Sequence, residues 1–129
     1  MSETSGKAQP ACCGGAPKVI FACSGASDVG QIADLAARKL AAEGAATMLC
    51  LAGISGRVSG MVASAEAALA GLAIDGCPLD CARKTLEQTG LGRFEHLRLS
   101  DLGMQRGESS ITDTRIENVV NCARTRLGG

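Results

Sequence analysis

The chain has 129 residues, enough for one ordinary domain, and 46% of them are apolar, so a core is within reach. Thirteen basic residues balance thirteen acidic ones, and the only aromatics are two Phe, which excludes both the positive footprint and the stacking platform of a nucleic-acid binder. No apolar run approaches the roughly 20 residues of a membrane span, and the polar residues 1–10 lack the apolar segment of a signal peptide, so the expected address is the cytoplasm.

Residues 1–17 are rich in Ser, Gly and Pro and contain the vicinal pair Cys12-Cys13; they read as a flexible tail ahead of a folded domain over 18–129. Val19-Ile20-Phe21-Ala22 is a short continuous apolar run, as expected of a strand covered on both faces. Ile32, Leu35, Ala36 and Leu40 then repeat at helical spacing, with Gly44 placed to stop the helix. Met48-Leu49-Cys50-Leu51-Ala52 predicts a second strand, and Val58, Met61, Val62, Ala65 and Leu69 a second helix. Leu72-Ala73-Ile74 predicts a third strand. Leu79, Ala82 and Leu86 predict a third helix, ending near Gly90. Phe94 to Leu99 predicts a fourth strand, and its mixed polarity (Glu95, His96, Arg98) suggests a sheet edge. Ile116, Val119, Val120 and Ala123 make a last helix, with Thr112 as N-cap and Arg124 and Arg126 near its C-terminal end. Strand and helix alternate about four times. The expected fold is therefore a single-domain, three-layer α/β structure: a four-stranded parallel sheet with right-handed crossovers and helices on both faces, Rossmann-like or flavodoxin-like.

Seven cysteines in a cytoplasmic chain point to metal or thiol chemistry rather than to a disulfide framework. In an open parallel sheet, sites form at the carboxyl ends of the strands. Cys23 ends the first strand, Cys77 and Cys81 follow the third, and Cys50 lies late in the second. The topology alone therefore sends four cysteines to one sheet edge. Pro78 at the first turn of a helix would put Cys77 and Cys81 on one face, four apart, where the helix N-terminus favours thiolate. Four thiolates make a closed tetrahedral zinc site, and the same ligands suit iron or an iron–sulfur cluster. Buried cysteines that merely pack as small hydrophobes are the bland alternative, strongest for Cys50.

Other chemistries fit less well. Gly25-Ala26-Ser27-Asp28-Val29-Gly30 has the outline of a phosphate loop, but Gln31 and Ile32 replace its Lys and Ser/Thr. A cysteine phosphatase or arsenate reductase needs Arg six residues after the nucleophile; Val29 holds that place after Cys23, and Arg57 lies one residue too far from Cys50. The loop containing Gly56 and Arg57 could hold an anion at the start of the next helix, although a plain Gly-rich turn explains it better.

Four blocks carry a family signature: Phe21-Ala22-Cys23-Ser24-Gly25-Ala26-Ser27-Asp28-Val29-Gly30, Cys50-Leu51-Ala52-Gly53-Ile54, Ile74-Asp75-Gly76-Cys77-Pro78-Leu79-Asp80-Cys81-Ala82, and His96-Leu97-Arg98-Leu99-Ser100-Asp101-Leu102-Gly103. In this order they resemble the DGC-domain family of zinc-binding proteins, over about residues 17–122. The resemblance implies zinc ligation by Cys23, Cys50, Cys77 and Cys81. It implies no reaction.

Around these four, Asp75 reads either as a group orienting the site or as a helix cap. Ser24 and Ser27 could donate to thiolate sulfur, though loop hydrogen bonding is the simpler role. Asp101 could border the site or be a solvated carboxylate. His96, the lone histidine, lies inside a strand and reads as structural, and no catalytic triad forms around it. Cys122 reads as packing. Arg57, Arg83 and Lys84 are near enough in sequence to offset the net charge of a four-thiolate site.

The leading expectation is thus a small metal-binding protein whose partner is the metal ion, with no nucleic acid or membrane, in a structural or metal-handling role. No catalytic constellation is recognisable. The alternative is a thiol-based enzyme or carrier for sulfur or electron transfer, with Cys77 as nucleophile and Cys81 or Cys23 as resolving thiol.

Overall fold

The computed structural model describes residues 17–91 and 93–128; Cys12, Cys13 and nearly all of the expected tail lie outside the described residues. The elements run β1 (Lys18–Ala22), α1 (Asp28–Ala42), β2 (Thr47–Met48), α2 (Leu51–Ser55), α3 (Ser59–Ala67), β3 (Ala70–Asp75), α4 (Cys81–Gln88), β4 (Glu95–Arg98), a 3-10 turn over Leu99–Leu102, and α5 (Asp113–Arg126). All four strands are parallel, in the order β2-β1-β3-β4. The α/β architecture is the one the alternating pattern predicts.

The two faces of the sheet are read off the strand period of two. Ile20 and Ala22 of β1 and Leu72 and Ile74 of β3 turn toward α1 and α5, where they meet Ile32, Ala36, Leu40, Val119 and Val120. Val19 and Phe21 turn the other way, with Ala73, toward Ile54, Ala65, Ala82 and Leu86. Phe21 and Phe94 meet edge to face there, with ring centroids 5.6 Å apart. Small side chains let α1 lie close on the sheet: Ala33, Ala36 and Ala37 are fully buried. Ser27 caps α1 by accepting from the Gly30 amide at 3.1 Å. Thr112 caps α5 in the same way, through the Arg115 amide.

Three local expectations need correction. The run 48–52 is not one strand. β2 stops at Met48, one further ladder bond joins Leu49 N–H to Ile20 C=O, and the chain then turns into α2 with Cys50 as N-cap. Short apolar runs do not separate a strand from a buried helical turn. The helix expected over 58–69 is preceded by the separate α2 and is itself shorter, over Ser59–Ala67. Finally, Pro78 does not start α4. Asp80 takes a left-handed conformation (φ 54°) and the helix begins at Cys81, so Cys77 and Pro78 belong to the preceding turn.

Candidate functional site

β1 is the first strand in sequence and lies inside the sheet, with β2 on one side and β3 on the other. The strand order therefore reverses between β1 and β3, and the crevice beyond their carboxyl ends is where a parallel sheet holds its ligands. Cys23 leaves β1 at this point, and Gly76-Cys77 leaves β3 beside it, with Cys23 N–H donating to Ile74 C=O at 3.0 Å. Two glycines make the meeting possible. A Cβ at Gly76 would come within 2.7 Å of the Val29 carbonyl carbon, and one at Gly30 within 2.6 Å of the Gly25 carbonyl oxygen. The start of α1 thus packs backbone to backbone against the end of β3.

A cavity of about 150 Å³ opens there, lined by Cys23, Cys77 and Cys81 together with Ser27, Asp75 and Arg106, among others. A second, larger cavity of about 890 Å³ lies beyond β1 and β2, and its walls include Cys23, Ser24, Asp34, Arg38, Met48 and Cys50. Cys23 is the thiol common to both. Cys23 and Cys77 are half-buried, Cys50 and Cys81 are exposed, and all four are free thiols. Burial pushes the Cys23 thiol up, opposed by hydrogen bonds from the Gly25 and Gly76 amides. The four sulfurs are not drawn into one cluster. Among the described residues, the group of three His, Cys, Asp or Glu donors within 4.8 Å of one another is Asp75, Asp80 and His96.

That trio is a structural lock whose donors are already committed. Asp75 is 1% exposed. Its Oδ1 accepts from the Ala82 amide (2.7 Å) and its Oδ2 from the Arg83 amide (3.1 Å), so it caps α4 from seven residues away, and His96 Nε2 lies 2.8 Å from the same Oδ2. Asp80 does not cap its own helix. Its carboxylate takes both arms of the Arg98 guanidinium, Nε at 2.7 Å, and Arg83 at 3.0 Å. These arginines, Arg98 foremost, hold its carboxyl below the usual carboxylate range. His96 and Arg98 are two apart on β4 and so share the face that looks toward α4. Together these contacts fix the turn 76–80 and set Cys81 at the head of α4.

The remaining expected residues fall as follows. Ser24, with φ 51°, donates from its hydroxyl to Asp34 Oδ1 at 2.7 Å, and Asp34 in turn accepts from Arg38 Nε at 2.7 Å. Gly56 and Arg57 form the turn between α2 and α3, where the amides of Gly56, Arg57 and Val58 donate to Ala52, Ile54 and Gly53. Asp101 pairs with Arg98 at 3.6 Å. Cys122 is half-buried against the α1–α5 side of the core. Arg83, expected to offset the thiolates, is turned instead to Asp80 and Glu87.

Two residues had no signal in the sequence. Arg106 lies in an irregular loop that returns to the cysteine cavity. Asp28 holds that loop: its carboxylate accepts from the amides of Gly107 and Ser109, both at 2.9 Å. Those amides hold the Asp28 carboxyl below its ordinary range. An Asp in the first turn of α1 is explained by the helix dipole alone, so nothing local announces its partners 79 and 81 residues away.

No helix among the described residues is long and apolar enough to cross a membrane. No solved structure matches the chain. The Anaerobic and virulence modulator AnvM of Pseudomonas aeruginosa is 38% identical over 88 residues, which is 68% of this chain and 67% of that relative. The family model described as DGC domain matches residues 19–123, which run from within β1 to within α5 and include all four candidate cysteines; the chain belongs to the DGC domain family.

Proposed function

We propose that this protein binds zinc through the thiolates of Cys23, Cys77, Cys81 and Cys50, in a metal-handling role. The observation that carries this reading is the position of Cys23. It shares one cavity with Cys77 and Cys81 and the adjoining one with Cys50, at the crevice where the strand order reverses.

The donor set suits the metal. Four free thiols, two of them exposed, offer the soft sulfur ligands that zinc takes in fours, and iron accepts the same set. Bound zinc would supply a structural crosslink and a site from which metal is passed on. The chain's own residues do the rest. The Gly25 and Gly76 amides hydrogen-bond the Cys23 sulfur. Asp75 anchors the head of α4, and with it Cys81. Cys50 is an N-cap whose side chain makes no cap hydrogen bond, which leaves its thiol uncommitted to the helix. An exposed pair of ligands suits exchange better than permanent closure.

Elemental analysis of protein purified without chelator tests the reading. One zinc per chain, lost in Cys77→Ala and Cys81→Ala, is the expected result. Stoichiometric metal in both variants, or a metal-free wild type, overturns it.

A thiol-transfer reading has one observation of its own: Cys23 and Cys77, both half-buried residues, line one small cavity. Metal-free protein with one fast-reacting cysteine would favour it.

A further inference from the structure

We infer that Arg106 is the positive charge of the cysteine site, held over it by Asp28. The inference rests on the cysteine cavity proposed above as the metal site.

With zinc bound as proposed, three thiolates and a fourth nearby would carry more negative charge than the ion removes, so a cation from the protein would stabilise the cavity. Of the candidates on neighbouring elements, Arg83 and Arg98 are spent on Asp80 and Arg38 on Asp34, while Arg57 and Lys84 line neither cavity. Arg106 is the basic residue in the lining of the cavity that holds Cys23, Cys77 and Cys81. The acidic residue of that lining, Asp75, is already engaged by two amides and His96.

The loop carrying Arg106 is held in place by several contacts. Asp28 accepts from Gly107 and Ser109, and also from its neighbour Val29 at 2.8 Å. Ser109 is buried, and its hydroxyl closes the loop on Gln105 C=O at 2.9 Å. Met104, just before the loop, is seated in the α1–α5 core. A loop pinned at both ends holds the backbone of Arg106 beside the start of α1, whose own N-terminus adds positive potential, and leaves its exposed side chain in the cavity lining. Arg106 is thus a positioning residue for the metal, acting through charge.

The test uses the full chain and two readouts. The first is zinc affinity, by competition with a chromophoric chelator, for wild type, Arg106→Lys, Arg106→Gln and Asp28→Asn. Arg106→Gln is expected to weaken zinc at least about 10-fold, Arg106→Lys to restore most of it, and Asp28→Asn to fall between. The second needs no zinc. In chelator, Cys77 and Cys81 are alkylated by iodoacetate, which is anionic, or by iodoacetamide, which is neutral, and the products are counted by mass spectrometry. Taking the ratio of the two rates at one pH cancels differences in thiol ionisation. That ratio is expected to drop about fivefold in Arg106→Gln and further in Arg106→Glu, as for one screened charge contact. A ratio unchanged in both variants overturns the inference. So does a zinc affinity left unaltered by Arg106→Gln when the wild type binds zinc. A wild type that takes no zinc removes the metal reading instead, and the alkylation ratio then decides the placement of Arg106 by itself.

Discussion

The Val29 carbonyl carbon occupies the space that a side chain on Gly76 would need, 2.7 Å from where its Cβ would lie. The contact sets the distance between the start of α1 and the turn after β3, beside the cavity that Cys23 and Cys77 line. Gly76→Ala is expected to cost about 1–3 kcal/mol of stability, as overpacking does, and to lower zinc retention in the same protein. Chemical denaturation and metal analysis of the folded variant check it. Full zinc retention would show that the two segments are free to part.

Cys50 stands apart from the other three, across Cys23 in the larger cavity. Cys50→Ala is therefore expected to keep a stoichiometric but weaker metal, whereas Cys23→Ala loses it. Competition titration of the two variants side by side gives the ranking. Equal loss would make Cys50 an ordinary ligand of a closed site.

Asp80 and Asp101 both pair with Arg98, but the side chain of Asp80 is 4% exposed and that of Asp101 66%. Asp101→Asn is expected to change stability by no more than about 0.5 kcal/mol. Asp80→Asn should fall well outside that band on the destabilising side, because it leaves Arg98 beside a neutral amide. Thermal unfolding of the pair, followed by circular dichroism, reads the difference.

The Asp28 clamp has a pH signature. Its carboxyl is held below the ordinary value by the Gly107 and Ser109 amides, so the ionised form is the one the fold prefers. The clamp is at full strength above the unfolded carboxylate range, near about 4, and weakens as pH falls through the lower folded value. Amide exchange at Gly107 and Ser109, corrected for intrinsic rates, should lose protection in acid before the core strands do. Asp28→Asn should show much of that loss already at neutral pH.

The sheet was legible because β1, β3 and the face of α1 follow their periods cleanly: Ile20 and Leu72 point one way and Val19 and Ala73 the other, as a period of two demands. Cys23 and Cys77 could be placed at one edge for the same reason. Cys50 was placed in a strand because an apolar run of five does not say where a two-residue edge strand stops. The start of α4 was misplaced because Pro78 is a good first-turn residue, while the left-handed Asp80 is held by Arg98, 18 residues on. A signal for that lock did exist: His96 and Arg98 alternate on an edge strand, with Asp75 and Asp80 at the end of its neighbour. Arg106 had none, since only the long-range partners of Asp28 bring it back to the site.

The pairing of β1 with β3 also dictates when the site comes into being. Cys23 and Cys77 lie 54 positions apart in the chain and become neighbours only once these two parallel strands have joined across α1, β2, α2 and α3. Such a crossover closes late, because its loop entropy must be met before its contacts form. Under the proposed metal-binding reading, capture by this pair would therefore wait for the β1–β3 pairing. A chain released from the ribosome short of β3 has the first thiol without its companion, and on the reading proposed above zinc uptake would report the joining of β1 to β3, with β4 still to be added at the edge.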